Sequence, residues 1–405
     1  MRDTEKWKMT KPSFMPFTDN PALKDTRKSR KVRICRESPV NCPMNPSTMK
    51  TVNSPDVIIA GGGIIGVSIA LQLRERGLQV LVLDRGEPGQ EASSAAAGML
   101  AARDPETPPA LRTLALASAR LYPGYVARLE ELSNLKTDFR RQGTIAFPEH
   151  LPVPSDYRML APEEIQRVEP ALRTGDRPAW FVQEDCVDPP LLMRAALAAA
   201  ARSGIEIRSH SQVTQIRACG GDVEVTTTCG SLWAHTVIDC RGAWSGTPVK
   251  PRKGQSLYVQ PQRPGLLEHV INAVEIYMVP RSSGKILVGA TIEDAGFDKT
   301  VEPHVIARLH QAAAALVPEL GSARIIDTWA GLRPGTPDDL PILGATETPG
   351  SFVATGHFRN GVLLAPVTAE IMANLCTGPA AGFDISAFSP LRFASASINS
   401  SRNSG

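Results

Sequence analysis

Hydrophobic and polar positions along this chain fall into two alternating patterns. Val57-Ile58-Ile59-Ala60 is a short apolar run with the length and branching of a buried parallel strand. Ile65, Ile69 and Leu73 then recur on one helical face, predicting a helix over Ile64–Arg76 that Gly77 stops, and Val80–Leu83 is a second buried run. Helical spacing returns over residues 108–133 (Leu114, Ala117, Leu121, Leu129), 189–203, 302–316 and 361–375. A short helix is predicted from Ala161-Pro162, where proline and acids suit a first turn. Strand patterns occupy 143–147, 205–208, 213–216, 223–228 and 232–234, 236–240, 255–259, 274–279, 285–290, 323–330 and 352–355. The stretch 148–182 is proline-rich and reads as loop, Gly331-Leu332-Arg333-Pro334 reads as a turn, and the chain after Gly378 is Ser-rich and expected to fray.

Parallel α/β signals sit at 56–100, 186–245 and 350–376, and antiparallel signals at 139–182 and 250–300. The expected fold is therefore α/β, a nucleotide-binding domain (55–138, 183–248, 321–380) into which a mostly antiparallel domain (139–182, 249–320) is inserted twice, with a tail at 381–405. Residues 1–54 lack periodicity and are expected to be a disordered basic extension. They hold 12 Lys/Arg against 5 Asp/Glu, so of a total charge of +3 the extension carries +7 and the rest −4. The basic excess thus says nothing for nucleic-acid binding by the body. Seven cysteines without a C-x-x-C pair point to reduced thiols and a cytoplasmic setting, with no zinc site. No stretch reads as a transmembrane helix, and the N-terminus lacks the apolar core of a secretory signal.

The chemistry begins at Gly61, Gly63 and Gly66, spaced G-x-G-x-x-G between the first strand and helix. Gly61 permits the turn, Gly63 lets backbone approach a pyrophosphate, and Gly66 lets helix and strand pack. The free N–H groups of the helix start favour a diphosphate, and Asp84, ending the second strand, can take ribose hydroxyls. A dinucleotide site is expected. The small-residue run 88–102 lets backbone come close to a flat ligand.

AGGGIIGVSIALQLRERG, SSAAAGM, VDPPLLMRAALAAAARSG, RGAWSG, WAGLRPGTPDDLPILG and ATGHFRNGVLLAPVTA together resemble the D-amino-acid oxidase superfamily of flavoproteins, most closely its glycine oxidases of thiazole biosynthesis. The likeness covers residue 56 to about 395 and implies a Rossmann-type FAD fold like that of glutathione reductase. It implies noncovalent FAD, with adenosine at Asp84 and Arg85 and pyrophosphate over Gly61–Gly66. Ile64, Ile65, Ala92, Ser93, Ala97, Gly98 and Met99 match flavin-contacting positions, and Val213 a backbone contact to adenine. His357, Phe358, Arg359, Asn360, Gly361, Val362 and Leu363 match the segment along the isoalloxazine. The alternative reading of that segment is a surface turn capping the last helix, which turn composition alone also allows.

Arg333 matches the family's carboxylate anchor, Arg359 a second substrate-contacting arginine, and Tyr277 a tyrosine that closes the site. A guanidinium meets a planar carboxylate with two parallel hydrogen bonds, while residue type alone leaves Arg333 equally suited to a bridge with Asp338 or Asp339. The resemblance implies oxidation of glycine, sarcosine or small D-amino acids, with dioxygen as acceptor and hydrogen peroxide as product, in thiamine biosynthesis. Hydride would pass from the amino acid to flavin N5, so no catalytic side chain is required. The implied partners are the amino acid and dioxygen, with no nucleic acid, membrane or metal, and relatives are often tetramers. Two departures stand out: Ile292 where substrate-pocket methionine is common, and Arg241 where a small residue is usual.

Overall fold

The structure is a computed structural model that describes residues 54–148, 153–175, 177–246, 248–378 and 382–393. The basic extension, Ser54 apart, lies outside the described residues.

A six-stranded sheet forms around the first apolar run. Val57–Ala60 pairs in parallel with Val80–Leu83 on one side and Thr236–Asp239 on the other. Glu206–Arg208 and Ser351–Thr355 extend the parallel order, and Ile342–Ala345 closes one edge antiparallel. The chain runs outward both ways from Val57–Ala60, and the crevice at such a switch point, past the strands' carboxyl ends, is where ligands bind in open α/β sheets. Helices Ile64–Glu75, Pro109–Ser133, Pro189–Arg202 and Gly361–Thr377 bury their apolar faces in one core with this sheet.

The last helix shows how the packing tolerates an internal proline. Pro366 has no N–H to give the carbonyl of Val362. The Tyr122 hydroxyl donates to that carbonyl instead (3.2 Å), and the Ser118 hydroxyl donates to the carbonyl of Leu363 (2.6 Å). Both come from Pro109–Ser133, so the two helices are joined by polar bonds inside an apolar core.

The second sheet has eight strands, antiparallel except where Val270–Asn272 lies parallel to Thr144–Ala146. Its own core is closed by the helix Pro303–Leu316. The predicted turn at Gly331–Pro334 is not a turn. Arg324–Gly335 is one twelve-residue strand, paired from end to end with Lys250–Gln260 in this sheet rather than opening the last nucleotide-binding segment. It is the edge strand, where a proline need give no ladder hydrogen bond. Gly331 serves close approach: a Cβ there would lie 2.6 Å from the Cβ of Ala95.

Other expectations are corrected on a smaller scale. The strand expected at 274–279 is two, Val270–Asn272 and Tyr277–Pro280, joined by a tight turn, and the loop-rich stretch holds strands Arg158–Leu160 and Ala179–Val182. Residues 382–393 do not fray. Phe388 is buried in the first core, and Arg392 donates to Asp338 (2.8 Å).

Candidate functional site

One long cavity runs from the glycine turn to the face of the eight-stranded sheet. At its first end Gly61 has φ +111°, and a Cβ there would collide with the carbonyl of Cys240, so the turn lies directly against the neighbouring strand's end. A Cβ on Gly66 would collide with the carbonyl of Gly61, which seats the helix on the turn. Gly63 caps this helix and offers no side-chain hydrogen bond. The N–H of Ile64 reaches the Ser93 hydroxyl (2.9 Å) and that of Gly62 reaches Asp84 Oδ2 (2.7 Å). The N–H groups of Gly63 and Ile65, both lining the cavity, have no protein acceptor among the described residues. Unpartnered amides at a helix start, in a cradle that a Cβ would fill, fit the diphosphate of a dinucleotide.

Asp84 lines the same end, and its Oδ1 accepts from the Gly86 N–H (2.9 Å). Its carboxylate therefore ties the glycine turn to the loop that follows the second strand, with lone pairs left for hydroxyls. Arg85 lies over the Trp244 ring (3.8 Å to its centroid) and pairs with Glu91. Arg241 forms a two-pronged bond with Asp239 (2.9 and 2.7 Å) and donates to the carbonyl of Val213 (3.1 Å). The unusual arginine thus braces the backbone expected to meet adenine.

At the other end Gly254, Ser256, Asn272, Tyr277 and Arg333 stand on four strands of the eight-stranded sheet. A Cβ on Gly254 would collide with the Arg333 guanidinium, so the side chain lies flat over the sheet at a position only glycine leaves open. Arg333 Nη1 donates to the carbonyl of Thr291 (3.0 Å), and no carboxylate among the described residues comes within ion-pair distance. Asp338, a partner that its nearness in sequence allows, is engaged by Arg392 instead. Thr291 is held in turn: its hydroxyl donates to Glu293 and accepts from the Gln255 N–H (2.9 Å). Lys253, 1% exposed, faces Glu293, Asp298 and Glu302 at 3.6–4.0 Å and pins the same loop. Trp329 Nε1 donates to the carbonyl of Ala95 (3.0 Å), tying the arginine-bearing strand to the small-residue segment.

Arg359 lines the cavity at an exposed rim and is paired with Glu106 (3.0 Å). It differs from Arg333 in already having an acidic partner. His357 is buried, its Nε2 lies 3.1 Å from the Thr368 hydroxyl, and burial pushes its pKa down to about 3, so it is neutral near pH 7. Asp104 also lines the cavity, and burial raises its carboxyl above the usual range although Arg359 draws it down. Beneath that segment Glu184 accepts from the Arg103 N–H (2.8 Å), and burial raises its pKa to about 7.

The structure brings the sequence-predicted site residues to this one cavity, except Gly66 and Leu363. Gly66 acts through packing, and Leu363 is buried in the core against the Pro109–Ser133 helix. Ile292 is 56% exposed and does not line the cavity, so it is not the pocket residue expected at that position. Gly254, Ser256, Asn272 and Asp104 were not foreseen. Gly254 had a signal, because glycine inside a strand pattern marks a close approach, whereas Asn272 sits on a strand too short to show periodicity.

The model of the family DAO, FAD dependent oxidoreductase, matches residues 56–375. The chain is 37% identical over 342 residues to a bifunctional ThiO/ThiG protein of Trichormus variabilis, a match covering 79% of this chain and 52% of that protein. The chain therefore spans about half the length of that relative. It is 34% identical to the hydrogen cyanide synthase subunit HcnC of Pseudomonas aeruginosa, over 84% of this chain and 96% of that one. The crystal structure of glycine oxidase from Geobacillus kaustophilus superposes with a TM-score of 0.79 at 33% identity, covering 84% of this chain and 98% of the other.

Proposed function

The chain belongs to the DAO family of FAD dependent oxidoreductases, and on that premise we propose that it oxidises a small amino acid at the carbon bearing the amine, glycine first, then sarcosine and small D-amino acids. The observation that carries this reading is Arg333, a guanidinium lining the cavity with one backbone acceptor and no carboxylate partner among the described residues. A half-buried cation without an acid favours an anionic ligand. Bound FAD supplies the two-electron acceptor for a C–H bond next to nitrogen. Gly61, Gly63 and the helix start hold its diphosphate, and Asp84 and Arg85 its adenosine side. The Ala92–Met99 segment and the turn at His357–Val362 hold the rest. Arg333 orients the substrate carboxylate, and Tyr277, lining the cavity from the same sheet with two strands between them, closes over it. Arg359 stands at the rim as a second, weaker attraction for acids. His357, its pKa pushed down to about 3 by burial, is too weak a base to take a proton from the amine, so the amine is bound in its neutral form and positioning does the catalytic work.

The likeness to a ThiO/ThiG protein and to glycine oxidase supports glycine as substrate, dioxygen as acceptor, and a role in making the thiazole of thiamine. The described cysteines are free, which supports a cytoplasmic setting. Among the described residues no helix is long and apolar enough to cross a membrane. The 34% identity to a protein named as a subunit favours a second reading, in which the chain works within an assembly and passes electrons elsewhere. The purified protein is expected to be yellow, to bleach with glycine under anaerobic conditions, and to release peroxide in air. Bleaching without peroxide selects the second reading. No bleaching by any member of an amino-acid panel removes both.

A further inference from the structure

Arg281 is 4% exposed, follows directly on the strand Tyr277–Pro280, and does not line the cavity. Its Nη1 donates to the carbonyl of Val187 (2.9 Å) and its Nη2 to the carbonyl of Ala97 (2.7 Å). Nε has no hydrogen-bond partner among the described residues, with Asp188 Oδ2 3.6 Å away. That contact is an ion pair without a hydrogen bond, and the other oxygen of Asp188, Oδ1, caps the next helix through Leu191 N–H. A buried guanidinium left partly unsatisfied is costly, so the two carbonyls it holds call for an explanation.

Both carbonyls belong to one knot of backbone. The Val187 N–H donates to the carbonyl of Gly98 (2.9 Å), and Met99–Leu100 pairs with Asp185–Cys186. Gly98 has φ +77°, and a Cβ there would collide with the Val187 carbonyl that Arg281 also binds. The Ala97–Gly98 peptide lies against the cavity, and in a planar trans peptide C=O and N–H point in opposite directions. Drawing the Ala97 carbonyl toward Arg281, outside the cavity, turns the Gly98 N–H the other way. That N–H has no protein acceptor among the described residues.

We infer that Arg281 is a positioning residue for FAD: it fixes the Ala97–Gly98 peptide so that the Gly98 N–H is presented to the cofactor. Side chains two apart share one face of a strand, so Arg281 continues the face of Tyr277 and Val279. Val279, Tyr277, Ala97 and Met99 pack in one small cluster. The strand that bears the substrate-side tyrosine therefore also grips the cofactor-side loop. This inference rests on FAD binding and not on which amine is oxidised.

The test uses the full chain with Arg281→Lys, which keeps the charge but cannot reach two carbonyls as a fork, and Arg281→Met, which removes both bonds. Four readouts are compared with the unsubstituted protein: apoprotein melting temperature, FAD dissociation constant, visible spectrum with midpoint potential, and hydrogen exchange at Gly98. The unsubstituted protein is expected to protect the Gly98 amide on adding FAD. Arg281→Lys is expected to melt within a few degrees of it, yet bind FAD about tenfold more weakly, shift the flavin band and potential, and lose that protection. Arg281→Met is expected to go further in the same direction. If Arg281→Met does not fold, Arg281→Lys decides alone. Unchanged FAD affinity, spectrum and Gly98 protection in a folded variant overturns the inference, whatever its activity toward amino acids.

Discussion

The two ends of the cavity are built on opposite plans. The glycine turn comes from about thirty consecutive residues, and it works through backbone: N–H groups, a left-handed glycine and the absence of Cβ atoms. The sheet end comes from strands scattered between Gly254 and Arg333, and it works through side chains that only strand register brings together. Away from Asp84 and Ser93, whose side chains hold the Gly62 and Ile64 N–H groups, the first plan tolerates a change of side chain but not a methyl added to its glycines. The second tolerates the loss of a side chain without collapse, because the ladder of backbone bonds remains.

That contrast can be broken most severely at Gly61. Gly61→Ala places a Cβ against the Cys240 carbonyl in a backbone conformation alanine resists. The protein is expected to be colourless, with FAD affinity reduced by about a hundredfold or more when the apoprotein is titrated by flavin fluorescence. A yellow variant would show that the backbone end has slack. Arg333→Ala tests the other plan. It should keep the colour and the melting temperature while raising the apparent substrate constant about a hundredfold, on the order of 3 kcal/mol for a lost charge-assisted pair. Steady-state kinetics on glycine measure it, and unchanged kinetics would take Arg333 out of the site.

The last test, whose effect depends on pH and vanishes in acid, lies at the seam between the ends. Glu184 has a folded pKa raised to about 7 from 4.5, so its stabilising contribution is complete below about pH 4.5 and is lost as pH rises through 7. Glu184→Gln should therefore melt at a higher temperature than the unsubstituted protein at pH 8 and at the same temperature near pH 4.5. The difference should be about 3 kcal/mol at most. His357 acts with the opposite sign: depressed to about 3 from 6.5, it favours folding above 6.5 and costs stability as pH falls toward 3. A melting curve across pH that shows no difference for Glu184→Gln would mean that the carboxyl is hydrated in solution.

The backbone end was legible in the sequence because its signals are local. Strand, glycine triplet, helix and closing acid follow one another, and the structure moves their limits by a residue or so. The sheet end was half legible. Arg333 and Tyr277 were identifiable by their motifs, but Gly331 and Pro334 looked like turn punctuation, since nothing nearby reveals that their strand is an edge lying against Ala95. The Glu106 partner of Arg359 is 253 positions away and carries no local mark. Phe388 in a Ser-rich tail was hidden for the same reason: composition predicts fraying, and a single aromatic finding a core does not alter composition.

The strand Arg324–Gly335 has a further meaning for how the molecule measures distance. It is fastened to the small-residue segment at Trp329 and presents its guanidinium four residues later. An extended chain advances about 3.4 Å per residue, so the two points are separated by an inextensible ruler of roughly 14 Å. Lengthening it by one residue would turn Arg333 to the opposite side of the sheet, and lengthening it by two would restore the side but overshoot by about 7 Å. Natural variation in the size of the amine can therefore be met by trading side chains along the ruler, but never by changing its number of divisions.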